Sequence, residues 1–185
     1  VAAKDRLNTP KEPLPKPLLL VDIDGVVSLF GDAGSDAPSV EEALSGSYHA
    51  IDGIPHFLSA TAAAHLLRLR TSFELVWASG WEEKANEYLP LLLGLPEPLP
   101  FIPFSLRTPV GARTTHAHWK LEAIAAYVGE RPLAWVDDAF NPACHEWAKA
   151  RAAPTLLVST LPAHGLTARE ARTLQEWAQA LAAPR

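Results

Sequence analysis

The stretch at 18–30, LLLVDIDGVVSLF, constrains this chain more than any other. Leu18 to Val21 is an apolar run without polar alternation, the pattern of a strand buried on both faces of a parallel sheet. The run ends on Asp22 and Asp24, with Gly25 behind them. Alternate residues of a strand point to one side, so the two carboxylates face the same way if extended geometry holds through Asp24. Such carboxylates repel each other unless a cation or a proton sits between them. The carboxyl end of a buried strand is also where open α/β sheets bind ligands. Gly25 permits a sharp turn and a close approach of ligand to backbone. An ordinary Asp- and Gly-rich turn would carry the same residues, so the other strand ends must decide.

Further along, short apolar runs alternate with helical patterns. Residues 73–78, FELVWA, form a second buried strand that ends on Ser79, Gly80, Trp81 and Glu82. A third, at 133–136, stops at Asp137 and Asp138, and a fourth lies at 155–158. Helices are predicted at 59–70, 82–93, 120–128, 142–152 and 167–182. Gly94 closes the second of these. Asn141 with Pro142 opens the fourth. Thr167 with Glu170 makes a capping box for the last. Residues 26–30 read as a short hairpin or flap arm, followed by turn residues at 31–39. Asp52-Gly53, flanked by apolar residues, predicts a second hairpin at 48–57. The segment 96–109 is a proline-rich loop.

Strands alternating with helices predict an α/β fold, a mostly parallel central sheet covered on both faces. The polar residues Asp22, Ser79 and Asp137 that end the strands then gather along one edge of that sheet.

With this convergence in view, the chain resembles the haloacid dehalogenase (HAD) superfamily. Its first motif is a hydrophobic strand followed by DxD, here Asp22 and Asp24; its second is Ser or Thr at a strand end, here Ser79. Its third is a lysine, here Lys120, with Arg113 as a fallback; its fourth is an acidic pair after a strand, here Asp137 and Asp138 in AWVDDAFN. The resemblance implies a three-layer α/β/α Rossmann-like fold and phosphoryl transfer through an aspartyl phosphate. Asp22 would be the nucleophile. Asp24 would be the general acid and then the general base. Ser79 and the N–H of Gly80 would grip the phosphoryl oxygens, and Lys120 would stabilise charge. A magnesium ion would be held by Asp22, Asp24 through its backbone carbonyl, Asp137 and Asp138, with Asn141 as an outer partner. Each residue also has a plainer use: Ser79 as a helix cap, Lys120 as a solvated lysine, and the acidic pair as a cluster at a helix start.

A closer resemblance is to a small bacterial branch of the superfamily, carried by LLLVDIDGVV, WASGWEEKAN and GLTAREARTLQEWA. Some of its members are associated with RNA-repair protein arrays, which implies phosphorylated nucleic-acid ends as partners. Superfamily caps are inserted after the first motif or between the second and third. Here those insertions, 27–59 and 94–119, are hairpin-sized and loop-like, so a minimal cap or none is expected. An open site admits a polymer end as well as a phosphorylated small molecule. Two rivals stand beside this expectation: a small-metabolite phosphatase with the proline-rich loop as lid, and a regulatory module that binds metal or phosphate without turnover.

Composition adds limits. At 185 residues the chain fits one domain at 18–185 behind an N-terminal arm at 1–17. A net charge of -5 makes no general case for nucleic-acid binding, though Arg107, Arg113 and His118 offer local positive charge. The single cysteine, Cys144, excludes an intrachain disulfide and reads as a buried bystander. No run is long enough for a membrane span, and the start carries no signal-peptide core, so a cytoplasmic location is expected. His49, His56, His116 and His118 have no zinc-site spacing, and most read as structural or surface residues. Trp81 reads as packing against its helix or the flap, with base stacking as the alternative; Trp77, Trp135 and Trp147 read as core or core-edge residues.

Overall fold

The computed structural model describes residues 15–31, 45–106 and 116–183. Strands β1 (Leu18–Val21), β5 (Glu74–Trp77), β6 (Leu133–Asp137) and β7 (Thr155–Ser159) form one sheet in the order β5-β1-β6-β7, with every neighbouring pair parallel. β1 is central and fully buried, as its unbroken apolar run requires. The alternation of its side chains splits the core in two. Leu19 and Val21 pack under helices α1 (Ala60–Leu69), α2 (Ala85–Leu93) and α5 (Ala168–Ala182). Leu18 and Leu20 pack under α3 (Leu121–Val128) and the start of α4 (Pro142–Ala150). This is the three-layer α/β/α arrangement expected. Truncating a side chain such as Leu20 to alanine at this depth costs about 2–5 kcal/mol.

After the first motif the described residues form a small antiparallel sheet, β2 (Ser28–Leu29), β4 (Ile54–Ser59) and β3 (Gly46–Ile51), in the order β2-β4-β3. The β3–β4 turn is the Asp52-Gly53 pair, with φ of 49° and 77°, the two positive values that a tight hairpin turn requires. Ser59 ends β4 and caps α1, its hydroxyl accepting from the N–H of Ala62. The Thr167–Glu170 capping box opens α5, and Gly94 ends α2 in the left-handed conformation.

Several expectations need adjustment. Strand geometry stops at Val21, so the alternation rule does not place Asp24; Asp24 instead forms an isolated bridge with Ser28 in the following turn. The segment predicted as one helix at 82–93 opens with a 3-10 turn, Glu82–Lys84, before α2. Lys120 ends the 3-10 turn Ala117–Lys120 just ahead of α3. The described part of the proline-rich segment is pinned to the sheet edge. Pro100 O and Ile102 N pair with the backbone of Trp77, and Leu99, Ile102 and Phe104 are buried. Asn86 fastens the same segment, donating to Leu99 O and accepting from Leu99 N. Residues 1–14 of the proposed arm lie outside the described residues.

Candidate active site

The sheet register assembles the site. Val21 lies opposite Trp77 on one side and Val136 on the other. Asp22, Ser79 and Asp137 therefore all lie at the carboxyl end of the sheet, and all are buried. The N–H of Asp22 donates to Val136 O at 3.0 Å, which holds the loop after β1 against β6.

Lys120 reaches in from the start of α3. Its Nζ lies 2.8 Å from Asp22 Oδ2 and 2.7 Å from Asp137 Oδ2, with only 4% of the residue exposed. The other oxygens of both acids are also engaged. Asp22 Oδ1 accepts from Ile23 N at 2.8 Å, and Asp137 Oδ1 from Ala139 N at 3.0 Å. Ligand atoms of Asp22, Asp137 and Asp138 all lie within 4.8 Å of one another. The side chain of Asp24 stands apart from this trio. Its Oδ2 accepts from the indole N–H of Trp81 at 3.0 Å.

The electrostatics follow from this crowding. Burial, then the charge of Asp22, hold the Asp137 carboxyl above the ordinary carboxylate range, although Lys120 opposes the rise. The same causes in the same order push Asp138 up to about 6. Burial raises Asp24 too, against the pull of the Trp81 hydrogen bond. Burial disfavours the Lys120 ammonium, but Asp22 and Asp137 outweigh it and hold its pKa above the ordinary lysine value. One ammonium does not neutralise this set of carboxylates. Three carboxylates with converging oxygens, still short of positive charge, fit a hard divalent cation that takes oxygen ligands.

Thr160 lies where the sequence reading named no residue. It follows β7 directly, and its hydroxyl donates to Gly25 O at 2.8 Å while its N–H donates to Asp137 O at 3.2 Å. It thus ties the first aspartate loop to the last. The available signal was its place at the end of the fourth strand. Trp81 packs against the core, as expected, but it also bonds Asp24, which the sequence reading did not anticipate. His56, on β4, meets the Trp81 ring edge-on with centroids 4.9 Å apart and pairs through Nδ1 with Ser28 Oγ at 3.0 Å. Asn141 caps α4 and bonds His118 at 2.8 Å. Cys144 is fully buried in the core beneath α4. Gly80 follows Ser79 at the same sheet edge, whereas Arg107 and Arg113 lie outside the described residues. Among the described residues no helix is long and apolar enough to cross a membrane.

No curated protein matches the chain. A family model described as the HAD domain in Swiss Army Knife RNA repair proteins matches residues 18–171. The matched span begins at β1 and contains all three clustered aspartates and Lys120. This chain therefore belongs to the family of HAD domains in Swiss Army Knife RNA repair proteins, and the aspartate cluster at the end of its central strands makes it a HAD-type phosphatase.

Proposed function

We propose that the protein is a magnesium-dependent phosphomonoesterase that works through an aspartyl phosphate on Asp22, with nucleotides or phosphorylated nucleic-acid ends as substrates. The observation that carries this reading is the buried Lys120, shared between Asp22 and Asp137 at 2.8 and 2.7 Å beside Asp138. A lysine so placed holds the Asp22 carboxylate in position for attack on phosphorus. Ser79 and the Gly80 N–H, at the end of β5, grip the phosphoryl oxygens; Arg113 is assigned to substrate on sequence alone. Asp24 gives a proton to the leaving oxygen as the P–O bond breaks, then takes one from the water that releases inorganic phosphate from Asp22. Asp22, Asp137, Asp138 and the Asp24 carbonyl would hold the magnesium ion, which when bound supplies positive charge to the phosphoryl oxygens.

The nucleic-acid preference draws support from the RNA-repair association in the family's description and from the three short strands that make up the described part of the flap. The test is catalytic efficiency on a nucleoside monophosphate, a short phosphorylated oligonucleotide and a small sugar phosphate, with and without magnesium. The expected result is magnesium-dependent turnover, abolished by Asp22→Asn, with the oligonucleotide processed at least as well as the nucleotide. An inert oligonucleotide with a strongly preferred sugar phosphate would replace this reading with a metabolite phosphatase.

A further inference from the structure

Four groups form a closed circuit beside the nucleophile. The Trp81 indole N–H donates to Asp24 Oδ2 at 3.0 Å. The Trp81 ring meets His56 edge-on at 4.9 Å. His56 Nδ1 pairs with Ser28 Oγ at 3.0 Å. The backbone of Ser28 returns to the aspartate loop, bridging Asp24 and accepting from Gly25 N at 2.8 Å. The circuit joins the flap, the turn after β5 and the turn after β1. Trp81 and Asp24 themselves are 57 residues apart.

The chemistry of the donor gives the circuit a direction. An indole N–H is a donor only, so Asp24 Oδ2 accepts, and the carbonyl-like oxygen is the better acceptor, which favours Oδ1 as the oxygen that carries a proton. The bond also holds the carboxyl plane, which a free aspartate would turn at little cost. The edge contact with His56 keeps the indole from rotating away. Glu82, next to Trp81, is held as well, despite a φ of 50°, because its carboxylate accepts from the Ser105 N–H and hydroxyl. The turn that carries Trp81 is therefore fixed on both sides.

We propose that Trp81 is the positioning residue for Asp24: its N–H fixes one carboxyl oxygen so that the other delivers the proton to the leaving group, and His56 on the flap braces the indole. This inference rests on the assignment of Asp24 as general acid made above. In the step concerned, a bond forms between Asp22 and phosphorus and the ester P–O bond breaks. The proton on Asp24 Oδ1 passes to the departing alkoxide, and the carboxylate left behind keeps the indole hydrogen bond, which favours its charged form.

The test uses two substrates that differ in their need for that proton. p-Nitrophenyl phosphate expels a stable phenolate and needs little general acid. A nucleoside 5′-monophosphate expels an alkoxide and needs it fully. kcat/KM, which reports the steps through leaving-group departure, is measured for the wild type, Asp24→Asn, Trp81→Phe, Trp81→His and His56→Ala. Trp81→Phe is expected to lose about a hundredfold on the nucleotide, the size of effect that a misplaced reacting group produces, and far less on the aryl substrate. Trp81→His, which keeps a ring N–H, is expected to recover part of the nucleotide activity. Should Trp81→Phe fail to fold by thermal melt, His56→Ala carries the same comparison, with a loss weighted to the nucleotide. Equal losses on both substrates in the Trp81 and His56 variants, while Asp24→Asn still discriminates, would overturn the positioning role and leave the general acid in place. An Asp24→Asn variant that fails to discriminate would remove the general acid itself, and the inference with it.

Discussion

The Asp138 side chain fills the space in which a side chain on Gly25 would stand. A Cβ added to Gly25 would stand 2.5 Å from Asp138 Cγ and 2.5 Å from its Oδ2, closer than such atoms approach, and Gly25 already sits at a φ of +72°. The glycine behind the first two aspartates thus makes room for the side chain of the fourth. Gly25→Ala is expected to cost about 1–2 kcal/mol from the left-handed backbone alone. It should also push the Asp138 carboxylate out of the cluster. Urea denaturation reads the first effect, and calorimetric magnesium titration reads the second as weakened binding. Unchanged magnesium affinity would mean that Asp138 contributes no ligand.

Lys120→Met keeps the side-chain volume and removes the charge shared by two buried carboxylates. Breaking a buried pair in this way costs about 3–5 kcal/mol, because the partners are left uncompensated. The loss should show in urea denaturation of the metal-free protein and shrink when magnesium is added. A loss below about 1 kcal/mol would indicate a pair screened by solvent, as exposed pairs are.

Magnesium should stabilise the folded protein in proportion to its binding. At a concentration about a hundredfold above its dissociation constant the gain is about 2.7 kcal/mol. For a chain of this size that is roughly 5–10 °C in Tm. Asp137→Ala should abolish the shift. An identical shift in that variant would place the ion elsewhere.

The metal-free protein should lose stability as pH rises across the acidic range. Asp138 titrates near 6 in the fold against an ordinary value of 3.8. A carboxyl whose pKa is raised by folding binds its proton more tightly in the native state. Its contribution is therefore fully present below about 3.8 and is lost as pH climbs through about 6. Asp138→Asn should flatten this part of the stability–pH curve. Denaturation midpoints from pH 4 to pH 8, in the presence of a chelator, decide the matter; an unchanged slope in the variant would exclude Asp138 as the source.

Much of this protein was legible in its sequence because the signals were local. β1, β5 and β6 are short apolar runs because both faces of a covered parallel sheet are dry, and that leaves a mark in the residues themselves. The Asp52-Gly53 turn, the Gly94 stop and the Thr167–Glu170 box are backbone requirements met by neighbouring residues. The strand ends gathered Asp22, Ser79 and Asp137 before any contact was known, because parallel strands share one carboxyl edge.

What the sequence could not decide was how side chains from distant segments meet. The positions named Lys120 as a candidate, but only the packing of α3 against β6 brings its ammonium between Asp22 and Asp137. Nothing near Trp81 announces a bond to Asp24, and nothing near Gly25 announces Asp138. The proline-rich segment reads as a loop from its composition. Its attachment to the backbone of Trp77 depends on an open sheet edge that exists only after β5 has paired with β1. Periodicity and caps report on residues a few positions apart. Charge pairing, steric exclusion and edge bonding act across space, so the elements are written along the chain while the site is completed only by their packing.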